Sequence, residues 1–363
     1  MSSLPMVKLT GDAYTQGWQH GRALRDAIVA NLRLYTARFE RELRMPSDEV
    51  WRRGSRYAAV IAEQSPDYAA GMRGIADGAG VEFAAIVALN VRYELFYQLF
   101  REYGSVATPD GCTAFALLPT ETVEGHLLVG ENWDWIVGVR GAIVLSEAPD
   151  GHRTLAFTEA GIFGGKIGLN TAGLALLING LASTVDDWAS LRRPFHVRCY
   201  DILRASSLAE AQAVITGEAR AGSANFLLVQ APDQIVNIEA APEAVAVSGC
   251  VAGCVVHANH FIDPTALGIA ERQIERYPHS QWRQARLQAL LAKRPQSLAS
   301  VQMALRDHDR YPYSVCFHID PADPPDERYE TVTSIIMDVT ARTLYATDGP
   351  PCGRSYVRYQ LSD

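Results

Sequence analysis

The sequence predicts a mixed fold, an α+β or α/β sandwich. Strand-like apolar runs are followed by helix and then by strand-like runs again, within one large region after residue 107. Strict strand–helix alternation is absent, which weighs against a Rossmann or barrel architecture. With 363 residues, 48% of them hydrophobic, the chain can bury a large core, as one large domain or two ordinary ones.

The first hundred residues read as mostly helical. GWQHGRALRDAIVANLRLYTARFERELR carries apolar residues at helical spacing with paired charges between them. PSDEVWRRGSRYAAVIAEQ follows, with Ser47 as its expected cap and Glu49 early in the helix. PDYAAGMRGIADGAG, from Pro66 to Gly80, is short and glycine-rich for a helix, whereas VEFAAIVALNVRYELFYQLF is a clearer one.

The texture changes at Ala107. ATPDGCTAFALLPT holds a Pro-Asp-Gly breaker and then an apolar run. HLLVGENWDW, GAIVLSE, HRTLAFTEAG and LALLIN read as strands. PFHVRCYDILRASSLAEAQAVITG returns to helix, and SANFLLVQAPDQIVNIEAAPEAVAVSG alternates again. GIAERQIERYPHSQWRQARLQALLAKRP and SLASVQMALRDH are helical, and TVTSIIMDVTARTLYATDGP closes with two strands. There is no internal repeat and no low-complexity tract.

A formal net charge of -8 without a long Lys/Arg run argues against nucleic acid or an anionic membrane as partner. No run of 18 apolar residues predicts a membrane span, and no secretory leader opens the chain. The six cysteines, Cys112, Cys199, Cys250, Cys254, Cys316 and Cys352, are irregularly spaced, so reduced thiols and a cytoplasmic location are expected.

Cys112 follows a turn cluster and opens a strand-like segment, which would set it at a rim; the bland alternative is a buried, inert thiol. Cys250, Cys254, His257 and His260 crowd one segment, CVAGCVVHANH, but it is apolar and strand-like and lacks zinc-knuckle spacing, so no metal is expected. GIFGGKIG lacks both phosphate-loop patterns and reads as a packing or access loop. Trp133, Trp135, Phe163 and Trp188 would supply an apolar wall, and Phe163 and nearby Lys166 would contact substrate. His308 ends a helix, where it caps, packs or lines the pocket.

DGCTAFALLP followed by GENWDW resembles the start of the mature chain in the penicillin acyltransferase-like (acyl-coenzyme A:6-aminopenicillanic acid acyltransferase) family. These are autoproteolytic cysteine hydrolases of the Ntn-hydrolase superfamily, with choloylglycine hydrolases as more distant relatives. LTGDAYTQGWQHG, IGLNTAGLALLING, VVHANHF, ALRDHDRYPYSVCFH and SIIMDVTARTLYATDGPPC continue the resemblance in order along most of the chain.

The resemblance implies a four-layer αββα sandwich, an α+β fold. Residues 1–111 form a helical prosegment retained as a small subunit, and residues 112–363 form the catalytic subunit. It implies self-cleavage between Gly111 and Cys112. The new α-amine of Cys112 then acts as base for its own thiol, Asp134 orients the pair, and the oxyanion hole is formed by the Asn259 side chain and, mainly through its backbone N–H, by Asn170. Asn132 shapes the backbone or contacts substrate.

The substrate would be a small-molecule amide or acyl compound, cleaved through a thioester, with transfer to an amine as the alternative outcome. No cofactor is called for, coenzyme A thioester entering only as substrate, and a homo-oligomer is compatible with the pattern. The arginine that choloylglycine hydrolases carry shortly before the acidic residue is absent, since Glu131, Asn132 and Trp133 stand there. Their later arginine has only Arg342 and Arg354 as weak candidates. A competing reading is a cysteine enzyme that never self-cleaves and uses His257, His260 or His308 as base. Another is a silent binding descendant of the fold.

Overall fold

A computed structural model describes residues 3–43, 45–96, 111–271, 274 and 277–361. The expected Pro109-Asp110 turn and the side chain of Trp188 lie outside the described residues.

The N-terminal part opens with strand β1 (Met6–Thr10) and continues with helices α1 (Ala13–Ala23), α2 (Arg25–Leu43), α3 (Ser47–Gln64), α4 (Pro66–Ala79) and α5 (Phe83–Asn90). Strand β1 was not expected: five residues carry little pattern of their own, and their partner is far away in sequence. The long first helical stretch is two helices, broken at Leu24. Ser47 is not a cap, because Pro46 holds that place and no side chain caps the helix.

The glycines of α4 are its contact surface. A Cβ on Gly74 would lie 2.1 Å from Tyr14 O, and one on Gly17 of α1 would lie 2.1 Å from Gly71 O. The two helices meet backbone to backbone, so tertiary packing overrides a poor local propensity.

After the junction come β2 (Thr113–Leu117), β3 (Leu128–Ile136), β4 (Gly141–Glu147), β5 (Arg153–Glu159), β6 (Ile167–Asn170) and β7 (Leu174–Gly180). Helices α6 (Phe195–Leu203) and α7 (Leu208–Thr216) follow, then β8 (Ala224–Gln230), β9 (Gln234–Ala240), β10 (Val245–Ser248) and β11 (Cys254–His257). Helices α8 (His279–Leu291) and α9 (Leu298–Leu305) precede β12 (Tyr329–Asp338), β13 (Thr343–Ala346) and β14 (Val357–Gln360).

The strands form an eight-stranded sheet, β1-β4-β5-β6-β7-β8-β9-β10, and a six-stranded sheet, β11-β2-β3-β12-β13-β14. Alternation along β2 shows how the layers stack. Ala114 and Ala116 face the other sheet in the main core, whereas Phe115 and Leu117 pack with Leu287, Leu291, Val301 and Leu305 of α8 and α9. Helices α6 and α7 cover β7 and β8 of the larger sheet. The result is the expected α+β fold with αββα layering. Strand β1 pairs in parallel with β4, so the N-terminal part completes an edge of the larger sheet.

Candidate active site

Strand β3 positions the site. All nine of its residues are buried, with β2 on one side and β12 on the other. Its pleat sends Asn132 and Asp134 to the face that carries α8 and α9. Glu131, Trp133 and Trp135 point to the opposite face. Thr113 pairs with Asn132, so continuing the register sets Cys112 opposite Trp133 and Gly111 opposite Asp134.

On the outer face the centre is Arg283, which is fully buried. Its Nη1 donates to Gly111 O, to Cys112 O at 2.9 Å and to Thr113 Oγ1 at 2.5 Å. Its Nη2 donates to Asn259 Oδ1 at 3.0 Å, and Nη1 stands 3.9 Å from Asp134 Oδ2. Asp134 also accepts from Thr331 Oγ1 at 2.6 Å. A Cβ on Gly111 would lie 2.7 Å from Asp134 Cβ and 2.8 Å from its Oδ2. Close approach to Asp134 is what requires glycine here.

Arg283 carries a legible signal that spacing arguments overlooked. Arg283, Leu287 and Leu291 recur every four residues on the buried stripe of α8, so a cation stands where the pattern calls for an apolar side chain. Arg342 and Arg354 do not take this place: Arg342 sits at a turn after β12 with φ 52°, and Arg354 is exposed beside Gly349.

Asn259 belongs to this cluster. Its backbone N–H donates to Ser280 Oγ at 2.8 Å and its Nδ2 donates to Gly180 O at 3.2 Å, which leaves one amide hydrogen over. Asn170 is committed elsewhere. Its Nδ2 donates to Leu203 O (2.9 Å) and Ala205 O (2.8 Å), and its Oδ1 accepts from Ala172 and Leu174. It ties the β6–β7 turn to the end of α6, so its side chain is spent as a turn asparagine's and is not spare for an oxyanion.

Asn179 on β7 immediately precedes the Gly180 that Asn259 holds. It is fully buried, its Oδ1 accepts from Asn225 at 3.0 Å, and its Nδ2 has no partner among the described residues. A buried amide left unpartnered is costly unless it serves something. The signal in sequence is a lone amide at the end of an apolar strand, LALLIN.

The inner face of β3 holds a buried ionic cluster. Lys166 Nζ donates to Glu159 Oε1 at 2.7 Å, Arg92 Nε donates to Oε2 at 3.1 Å, and Tyr35 OH donates to the same carboxylate. Burial alone would raise the Glu159 carboxyl, yet Arg92 and Lys166 together hold it well below the ordinary range. Burial lowers Lys166 to about 8 against the pull of Glu159, and a Cys112 thiolate would bind its proton more tightly.

The remaining candidates separate. Trp133 stacks on Trp135 at 6.0 Å with Lys166 Nζ 3.1 Å from its ring centre, and Trp135 Nε1 donates to Tyr35 OH at 2.7 Å. Phe163 packs on Tyr68 and Tyr200 and lines a cleft of about 270 Å³ whose lining does not include Cys112. Asn132 donates to Leu305 O (2.9 Å) and Val315 O (2.8 Å), so it shapes the backbone. His257 is bonded to Glu239 and Ala258 O, His260 to Ser280, and His308 to His318, so each candidate histidine base is engaged.

Comparison with known proteins adds the family. The pattern of "Acyl-coenzyme A:6-aminopenicillanic acid acyl-transferase" matches residues 120–351, more than half of the chain. Over 340 residues, 92% of this chain and 90% of the relative, the sequence is 27% identical to the acyl-coenzyme A:6-aminopenicillanic-acid-acyltransferase 40 kDa form of Emericella nidulans. Among solved structures, penicillin V acylase from Agrobacterium tumefaciens is similar at 16% identity and a TM-score of 0.46, over 69% of this chain and 86% of that one. The Caenorhabditis elegans ortholog of N-acylethanolamine-hydrolyzing acid amidase is similar at 14% identity and a TM-score of 0.45, over 63% and 93%. The chain therefore belongs to the acyl-coenzyme A:6-aminopenicillanic acid acyltransferase family and is an enzyme of the hydrolase and acyltransferase kind that acts on amide bonds.

Proposed function

We propose that the chain is the precursor of an N-terminal-cysteine amidohydrolase that cleaves itself between Gly111 and Cys112. The observation that carries this reading is the grip of buried Arg283 on the carbonyls of Gly111 and Cys112, with Asp134 packed against Gly111. A guanidinium on the Gly111 carbonyl polarises the bond that would break and holds charge that develops on its oxygen. The Cys112 thiol adds to that carbon, the C–N bond breaks, and the freed amine takes up a proton. Water then hydrolyses the thioester, leaving the Gly111 carboxylate and restoring the thiol.

In the mature enzyme the α-amine of Cys112 has a reference pKa of about 7.7–8.0, so near neutral pH it can accept the thiol's proton. Asp134 orients the amine. The thiolate attacks the substrate amide, and the tetrahedral oxygen is held by the spare hydrogen of Asn259 and by Asn179 Nδ2. Amine leaves with a proton, and water completes hydrolysis of the thioester. We assign the second oxyanion position to Asn179 in place of Asn170.

The N-terminal part stays docked as a small subunit. Support comes from β1 in the larger sheet and from Tyr35 and Arg92, which reach Glu159 across the junction. The Emericella relative is named as an acyltransferase, which favours a second outcome: an amine in place of water as acceptor. Supplying an acceptor amine during turnover and quantifying amide against free acid separates the two. Wild type should yield two fragments meeting at Gly111–Cys112 by mass. Activity in an uncut chain would overturn the mechanism.

A further inference from the structure

We propose that His308, Cys316, His318 and Cys352 form a structural zinc site. Their ligand atoms all lie within 4.8 Å of one another. The three distances recorded around His318 Nε2 are 3.1 Å to His308 Nε2, 3.4 Å to Cys316 Sγ and 3.4 Å to Cys352 Sγ. Bond lengths of about 2.0–2.1 Å to nitrogen and about 2.3 Å to sulfur in a tetrahedron put ligand atoms roughly 3.3–3.8 Å apart. The cluster is therefore already near the size of a metal shell.

Hydrogen bonding does not account for the arrangement. One imidazole nitrogen offers either one hydrogen or one lone pair, yet three polar atoms converge on His318 Nε2. A cation at their common centre satisfies all four groups. Two thiolates, two neutral imidazoles and Zn²⁺ sum to zero charge, which suits a site with Cys316 buried and His318 half-buried. A bound cation is what would ionise the two thiols. Binding would release two thiol protons per metal.

The ligands come from two segments that the fold brings together. After α9 the chain is wound tightly by Cys316 N–H donating to Asp307 O (3.0 Å) and His318 N–H donating to Pro312 O (2.9 Å). Arg306 Nε donates to Pro351 O at 2.8 Å, setting Cys352 against that loop. Four protein ligands leave no open position, so the metal would clip and not catalyse. The clip lies beside the site: Phe317 N–H donates to Thr331 Oγ1 at 2.9 Å, and that hydroxyl donates to Asp134.

The test is metal content of the reduced full-length chain after addition of Zn²⁺ and desalting. Tetrahedral cobalt absorption after Co²⁺ substitution gives a second readout. Cys112→Ala is carried alongside, so that the outcome does not depend on the proposed mechanism. One equivalent is expected in wild type and Cys112→Ala. In Cys352→Ser and His308→Gln, both at exposed positions, affinity should fall at least about 100-fold, the upper end for losing even an outer-shell partner. Absence of stoichiometric metal in wild type, undiminished binding in both variants, or a native Cys316–Cys352 disulfide, seen as a mass lower by two hydrogens, would overturn the assignment.

Discussion

The two faces of β3 do different work. The outer face gathers Gly111, Asp134, Arg283, Asn259 and Thr331, residues that all lie at or after the junction. The inner face gathers Trp133, Trp135, Glu159 and Lys166 and completes their bonding with Tyr35 and Arg92 from the N-terminal part. Cys112 lies opposite Trp133 and is buried on the inner side, so the nucleophile faces the clamp while the groups that hold its backbone stand on the outer face. Substitutions of Cys112 and of the outer-face groups that hold it should alter rate, and those in the inner-face ionic cluster should alter cohesion.

The largest effects belong to Cys112 and to the groups that hold its backbone. Cys112→Ala should abolish both processing and activity. Gly111→Ala must displace Asp134 and should slow processing severely, read as precursor remaining by intact mass over time. Arg283→Met should slow processing by roughly 100- to 1,000-fold, the range for losing one oxyanion donor, and an unchanged rate would break the comparison.

Inside, Glu159→Gln leaves Arg92 and Lys166 as buried, under-compensated cations. It should destabilise the protein by about 3–5 kcal/mol, measured by denaturant unfolding, and promote separation of the fragments. Loss of turnover without loss of stability would place Glu159 with the reacting groups instead.

The two asparagines offer a sharper contrast at smaller cost. Asn179→Ala should lower kcat by about 100-fold or more with little change in stability. Asn170→Ala should cost about 1–3 kcal/mol of stability by stranding turn groups, with kcat retained. The reverse pattern would restore the Asn170 side chain to the oxyanion hole.

A pH dependence isolates one contact between the two parts. Gly161 N–H donates to His20 Nε2 at 3.0 Å, and burial lowers His20 from 6.5 to about 4. The unfolded state binds the extra proton between those values, so this contribution is intact above pH 6.5 and is lost as pH falls through 4. It amounts to about 3 kcal/mol. Glu94, raised by burial to about 7, acts with the opposite sign, its contribution shrinking as pH rises from 4.5 to 7. Comparing wild type with His20→Asn by denaturant unfolding at pH 4 and 7 removes the Glu94 effect, and the wild type should show the steeper acid loss.

Much of the fold was legible because long periodic segments decide their own type. The apolar runs of β3, β7 and β8 and the amphipathic α3 needed no tertiary information. Strand β1 did, since its pairing with β4 spans well over a hundred residues, and so did α4, whose glycines make sense only against α1. At the site, Cys112, Asp134 and Asn259 stood in recognisable motifs. Asn170 was misleading because a turn asparagine beside glycines mimics the pattern sought. The cation in the apolar stripe of α8 and the four zinc-type ligands, from His308 to Cys352, become meaningful once the chain has folded.

The most direct test of the central claim is intact mass under denaturing conditions for wild type and Cys112→Ala. The account predicts two wild-type fragments that meet between Gly111 and Cys112, and a single chain in the variant. A wild type that turns over substrate as one uncut chain would contradict it.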